Sequence, residues 1–221
     1  MTYSESYFTA RESWRDWRIE ARQTIDLARV SKGTRVLEIG CGGGGLLRML
    51  RERGAAAVGI DTLDVALELA RDRVDPAGRL NDVIRIGEEG VLPFQDGSFD
   101  AIVGQHVVEH LPDVGAALCE WKRLLAAGGR LVLATPNARY PDPAHFADAG
   151  HTLVFSPREL RDATERAGFA VEACYTLFPF LSGIRALRGL GVFGYRIFLH
   201  APYFSTRGRT IMLAARKEPG S

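Results

Sequence analysis

Apolar residues along the chain recur at two different periods. From about residue 11 to residue 30 they fall at helical spacing, through Trp14, Trp17, Ile25 and Leu27, and predict one or two N-terminal helices. Beyond them come short apolar runs that break into glycine or a polar residue: "TRVLEIG", "AAVGID", "DVIRI", "FDAIVGQ" and "RLVLATPN". Each reads as a buried strand. The segments between them are amphipathic. "GLLRMLRERG" stops at Gly54, "TLDVALELARDRV" is closed by "DPAG", and "DVGAALCEWKRLLAAGG" ends at its glycines, and all three read as helices. Strands alternating with helices imply an α/β fold, a parallel sheet covered on both faces. Right-handed crossovers then gather the strand C-termini, and the ligand crevice, along one edge.

The last third changes character. "SPRELRDATERAGF" is a helix with Ser156 as N-cap and Pro157 at its first position. "AVEACYTLF" and "RTIMLAARK" read as two closing strands, separated by an apolar stretch interrupted by Arg185, Arg188 and Arg196. No internal repeat or low-complexity tract is visible. The expected organisation is a single domain: an N-terminal helical cap over 1–32, a core over 33–176, an apolar insert over 177–206, and a closing strand and tail over 207–221.

Composition narrows the function classes. The 221 residues suffice for one sizeable core, and 28 Lys+Arg against 27 Asp+Glu leave a formal charge of +1. That balance argues against a general nucleic-acid binder, which needs a basic surface to contact phosphates. Cys41, Cys119 and Cys174 lie far apart and odd in number, so neither a disulfide framework nor a cysteine zinc site is expected. The polar, aromatic N-terminus lacks an apolar signal region and no uncharged apolar run is long enough for a membrane span, so the expected setting is the reducing cytoplasm.

The chemistry concentrates in "VLEIGCGGGG", Val36 to Gly45. From Gly40 to Gly45 it satisfies G-x-G-x-x-G, the dinucleotide fingerprint; from Glu38 to Gly44 it satisfies E-x-G-x-G-x-G, a loop suited to a nucleoside without phosphate. Both patterns use glycine so that the chain turns tightly and a ligand approaches the backbone at a helix N-terminus. Glu38 separates them. A carboxylate there repels a pyrophosphate and suits a cationic amino group. Asp61, ending the second strand, is the ribose acid in either case.

Further on, "IGEEGVLPFQDGSFDAIVGQHVVEHLPD" places an acid after the third strand, then L-P-F, a D-G-S turn and F-D opening the fourth strand. Together with "LEIGCGGG" and "GGRLVLATPN" these blocks resemble the class I S-adenosylmethionine-dependent methyltransferases, over about residues 34 to 170. The resemblance is to the broad subgroup that includes the quinone-precursor O-methyltransferases. It implies a Rossmann-like, mostly parallel seven-stranded sheet with helices on both faces and an antiparallel last strand. It also implies S-adenosyl-L-methionine as cofactor and S-adenosyl-L-homocysteine as product. Carried over by position, Glu38, Gly40, Cys41, Gly42 and Gly44 face the methionine part of the cofactor. Asp61 bonds the ribose hydroxyls, with Thr62 and Leu63 beside the adenine. Glu88 stands where the family commonly has Asp on the exocyclic amine, Glu89 offers its backbone N–H to the ring, and Gln105 falls beside the sulfonium.

The reaction of that family is an in-line methyl displacement, so the protein mainly supplies alignment, with a base where the acceptor is a hydroxyl. "HVVEH" puts His106, Glu109 and His110 at i, i+3 and i+4, on one face if the segment is helical. Three roles stay open. The group braces the turn before Pro112; or His106 or His110 is the base or acceptor-orienting group; or, with His151, the cluster holds a divalent ion. In similar methyltransferases E-x-x-E-H does the last, but here His106 replaces the first acid, and no metal is assigned. The insert is either a helical cap or a lid for a greasy acceptor that touches a membrane surface, and Tyr7, Phe8, Trp14 and Trp17 close the pocket from the other side. The expectation is O-methylation of a small-molecule acceptor, hydrophobic in the lid reading, and no nucleic-acid partner. The rivals are a nicotinamide-dependent oxidoreductase and a methyltransferase-like binding module without activity.

Overall fold

A computed structural model describes residues 4–13, 15–74, 82–87, 91–140, 153–177 and 205–218. Two helices, α1 (Glu5–Glu12) and α2 (Arg15–Leu27), precede the sheet. Then β1 (Arg35–Ile39), α3 (Gly45–Glu52), β2 (Ala56–Asp61), α4 (Asp64–Val74), β3 (Val83–Arg85) and β4 (Phe99–Gln105) alternate. A short 3-10 turn, Val108–His110, leads to α5 (Val114–Leu124), β5 (Leu125–Pro136), α6 (Pro157–Arg166), β6 (Phe169–Leu177) and β7 (Thr210–Lys217).

The seven strands form one sheet in the order β3-β2-β1-β4-β5-β7-β6. β7 runs antiparallel to both neighbours, β5 and β6, and the pairs among β1 to β5 are parallel. The expected Rossmann-like sheet with an antiparallel last strand is what the chain forms. Period-two alternation splits each strand between two cores. Val36, Ala101 and Val103 pack with α2, α3 and α4, whereas Leu37, Ile39 and Ile102 pack with α5 and α6. Glu38 and Gln105 share the parity of the first set, so both point to the side covered by the N-terminal helices. β1 feeds toward β2 on one side and β4 stands on the other. The order reverses there, and a crevice opens between their C-terminal ends.

Three sequence expectations shift. α1 starts ahead of the predicted helical stretch: Ser4 caps it, and Phe8 is its one buried residue, too thin an apolar pattern to register. α5 ends at Leu124 rather than at the glycines. Leu125 is already extended, buried and paired with Phe99, and Ala126 to Gly129 then bulge out before Arg130 pairs with Ala101. The helical face expected for "HVVEH" does not form. His106 ends the strand in the left-handed region (φ 57°), which takes it off the axis of the 3-10 turn that follows. Residues 178–204, most of the apolar insert, lie outside the described residues.

Candidate active site

β1 delivers Glu38 to the sheet edge, and the glycine loop turns over it into α3. Gly40, Gly42 and Gly44 all have positive φ, and Gly44 has a second reason to be glycine: a Cβ there would stand 3.0 Å from the Cα of Ala70 on α4. The loop is tied at both ends, Cys41 N–H to Ile60 O at 3.0 Å and Gly44 N–H to Cys41 O at 2.9 Å. Asp61, at the tip of β2, holds the middle. Its Oδ2 accepts from Gly42 N–H at 2.8 Å and its Oδ1 from Leu63 N–H at 3.0 Å, leaving one lone pair on each oxygen.

A cleft of about 350 Å3, its open mouth included, lies against this loop. Its sheet side presents Glu38, Gly40, Cys41, Gly42, Gly43, Gly45, Leu46 and Gln105; the N-terminal helices contribute Phe8, Arg11, Glu12 and Trp17. Glu38 is 4 % exposed, and its Oε2 has no hydrogen-bond partner. Burial, reinforced by the nearby charges of Asp61 and Glu12, pushes its carboxyl well above the usual range. A buried acid in that state is completed by a cation that also donates hydrogen bonds. The Cys41 thiol is pushed well up, by burial and then by Glu38 and Asp61, which favours its protonated form in the packing of the loop. Gln105 donates Nε2–H to Thr24 Oγ1 at 2.9 Å, joining β4 to α2 across the floor of the cleft.

Residues 9–173 match the family model described as "Methyltransferase domain". The chain belongs to that methyltransferase family. It is of the class I, S-adenosylmethionine-dependent kind. It is 35% identical over 132 residues to a ubiquinone biosynthesis O-methyltransferase of Pseudomonas aeruginosa, covering 59% of this chain and 56% of that one. It is 34% identical over 140 residues to the enzyme of the same name from Dechloromonas aromatica, covering 62% and 60%. The chain thus spans less than two thirds of the length of these curated relatives. Among solved structures, an S-adenosylmethionine-dependent methyltransferase of Mesorhizobium loti superposes with a TM-score of 0.66 at 20% identity, over 93% of this chain and 99% of that one. The cyclase SpnF superposes with a TM-score of 0.70 at 20% identity, over 94% and 83%. At such identities the likeness speaks to the fold alone.

The methyltransferase cleft meets a buried charge cluster at the end of β4. His106 Nε2 lies 3.0 Å from Glu20 Oε1 on α2, and its Nδ1 lies 3.3 Å from Glu109 Oε1. Glu109 is 1 % exposed and accepts from Thr135 Oγ1 at 2.9 Å. Burial would lower the His106 pKa, as would the charge of Arg11; the charge of Glu20 and the close contacts with Glu109 and Glu20 outweigh both and lift the value to about 9. Both carboxyls sit below their ordinary range: burial opposes this, but His106 prevails. His106 is therefore an imidazolium with both nitrogens engaged, and it lies behind Gln105 rather than on the cleft wall. His110 follows on the 3-10 turn, half-buried, its N–H bonded to Val107 O at 2.9 Å.

Of the expected cofactor residues, the fold brings Glu38, Gly40, Cys41, Gly42 and Gln105 into one cleft. Gly44 ends the loop against Ala70 of α4. Asp61, Thr62 and Leu63 do not line the cleft itself; Asp61 joins the loop through Gly42 and holds Leu63 N–H. Glu88, Glu89 and His151 fall outside the described residues, as does Trp14. Phe8 and Trp17 line the cleft, and Tyr7 meets the Phe8 ring edge-on at 5.5 Å. Arg11, Glu12, Glu20 and Thr24 escaped the sequence reading. Charged residues on a solvated-looking helix give no signal of function until the helix is known to cover a site. Among the described residues no group of three His, Cys, Asp or Glu is arranged to hold a metal, and no helix is long and apolar enough to cross a membrane.

Proposed function

We propose that this chain transfers a methyl group from S-adenosyl-L-methionine to a hydroxyl of a small-molecule acceptor. The observation that carries the cofactor side is Glu38 Oε2, a buried carboxylate oxygen without a partner at the mouth of a glycine loop. The cofactor supplies a methyl group already activated on sulfur, together with the amino cation that Glu38 lacks. On this reading Glu38 and Gly40 to Gly44 hold the amino-acid part, Asp61 the ribose, with Thr62, Leu63, Glu88 and Glu89 toward the adenine. Gln105, fixed by Thr24, borders the transferred group.

The oxygen acceptor is supported by the names of the relatives from Pseudomonas aeruginosa and Dechloromonas aromatica. A near-neutral charge supports a small molecule over a nucleic acid. The apolar composition of 177–206 supports a hydrophobic acceptor, with contact to a membrane surface as its corollary. Three free cysteines, with Cys119 exposed, support a cytoplasmic setting. For His106 the clamp favours the bracing role over either catalytic one, because both ring nitrogens face carboxyls off the cleft wall and an imidazolium near pKa 9 keeps its proton at neutral pH. His110 is then the imidazole left for a base.

Calorimetry with S-adenosylhomocysteine and with NADH, followed by a methyl-transfer screen across phenols, catechols and quinols, tests the proposal. Micromolar binding of S-adenosylhomocysteine and transfer to at least one hydroxyl are expected. Binding of NADH alone, or transfer only to nitrogen or carbon acceptors, would overturn it.

A further inference from the structure

The glycine run satisfies a phosphate-binding pattern as well as its own, so something beyond the loop has to exclude phosphate ligands. The structure offers a second carboxylate besides Glu38. Glu12, last residue of α1, packs directly onto Gly45, the first residue of α3: a Cβ there would lie 2.5 Å from Glu12 Cδ and 2.7 Å and 2.8 Å from its oxygens. Arg73 of α4 holds it in place, with Nη1 at 2.7 Å and 2.8 Å from the two oxygens. The same Nη1 donates to Gly43 O at 2.9 Å, and Nη2 donates to Thr9 Oγ1 at 3.0 Å. Glu12 and Gly45 both line the cleft, together with the unpartnered Glu38.

We propose that Glu12 is a cofactor-specificity residue, which sets a carboxylate of the chain's own beside the first turn of α3 and so restricts the cleft to adenosine ligands that carry a cation and no phosphate. This rests on the cofactor reading above. A glycine loop at a helix N-terminus attracts a pyrophosphate through its free N–H groups and the helix dipole. Glu12 opposes that attraction at short range and also holds Arg73, whose guanidinium reaches the loop at Gly43 O; Arg11, on the cleft wall, is unchanged by the exchange. Removing the carboxylate therefore acts twice: the repulsion vanishes and a guanidinium is released at Gly43.

The test is calorimetry on the full chain with S-adenosylmethionine, S-adenosylhomocysteine and ADP. Wild type takes up both adenosyl ligands and binds ADP poorly. In Glu12→Gln the ADP affinity rises at least tenfold while that for S-adenosylmethionine falls, and Glu12→Asp restores the rejection of ADP. Arg73→Gln, which leaves Glu12 without its counter-ion, shifts the balance the other way, with tighter S-adenosylmethionine and weaker ADP. Unchanged ADP affinity in Glu12→Gln overturns the proposal. So does a parallel loss of all ligands in both variants, which would mark the pair as a latch for α1. A wild type that binds neither adenosyl ligand overturns the cofactor reading itself.

Discussion

Gly42 donates its backbone N–H to Asp61 Oδ2 at 2.8 Å, so the acid assigned to the ribose also holds the middle of the glycine loop in place. Binding and loop geometry are coupled through one side chain. Asp61→Ala is expected to weaken S-adenosylhomocysteine by at least tenfold, more than the loss of one ligand hydrogen bond of about 1 kcal/mol would give. Asp61→Asn should fall in between, since an amide oxygen still accepts from Gly42. Calorimetry that found the alanine variant at wild-type affinity would remove Asp61 from the site.

On the proposed cofactor reading, Glu38 trades fold stability for binding. Its buried, unpartnered oxygen costs free energy in the ligand-free protein. Glu38→Gln is expected to leave the unfolding midpoint unchanged or raised while cutting cofactor affinity at least tenfold. A lowered midpoint with intact binding would show that Glu38 serves the fold alone.

The raised Glu38 titration gives binding a pH sign. Holding a cation requires the carboxylate, so uptake of S-adenosylhomocysteine releases a proton and tightens as pH rises through that titration. Binding heats measured in buffers of different ionisation enthalpy should reveal the released proton, and Glu38→Gln should abolish it. Heats independent of buffer would contradict the assignment.

His106 gives the fold a pH sign of its own. Its folded pKa, about 9, lies above the ordinary 6.5. Its stabilisation is therefore fully present below pH 6.5 and is lost as pH rises through 9, a loss of up to about 3 kcal/mol. The groups facing it are Glu20 from α2, Glu109 from the 3-10 turn and Arg11 from α1, with His110 acting on Glu109. Denaturant midpoints should fall between pH 6.5 and 9 in the wild type. His106→Ala should cost about 3 kcal/mol at neutral pH, because two buried carboxylates lose their cation, and should flatten that limb. A wild-type profile flat to pH 9 would refute the clamp.

Gly44→Ala probes the loop from below. The φ of 79° and the 3.0 Å approach to the Ala70 backbone both resist a side chain, and the expected cost is roughly 2 kcal/mol. Chemical denaturation showing less than about 0.5 kcal/mol would mean that α4 gives way freely.

Periodicity and glycine placement carried the alternation of β1 to β5 with α3 to α5, because burying one face of each element is a local demand written in the order of apolar residues. The same locality made Glu38 and the glycine loop legible, and Asp61 with them, since strand ends and tight turns have short-range signatures. The pairing of His106 with Glu20, 86 residues apart, had none. Nor did the contact of Glu12 with Gly45 or of Gln105 with Thr24, since α1 and α2 look like ordinary charged helices until the sheet gives them something to cover. In "HVVEH" His106 and Glu109 do meet, but through a left-handed turn at His106 rather than along one helical face, and the second carboxyl, Glu20, comes from α2. Local pattern alone set the order of the elements and the position of the glycine loop. Which charges meet there depends on how the helices pack over the sheet, because electrostatic partners are set by distance through space, and distance along the chain does not encode it.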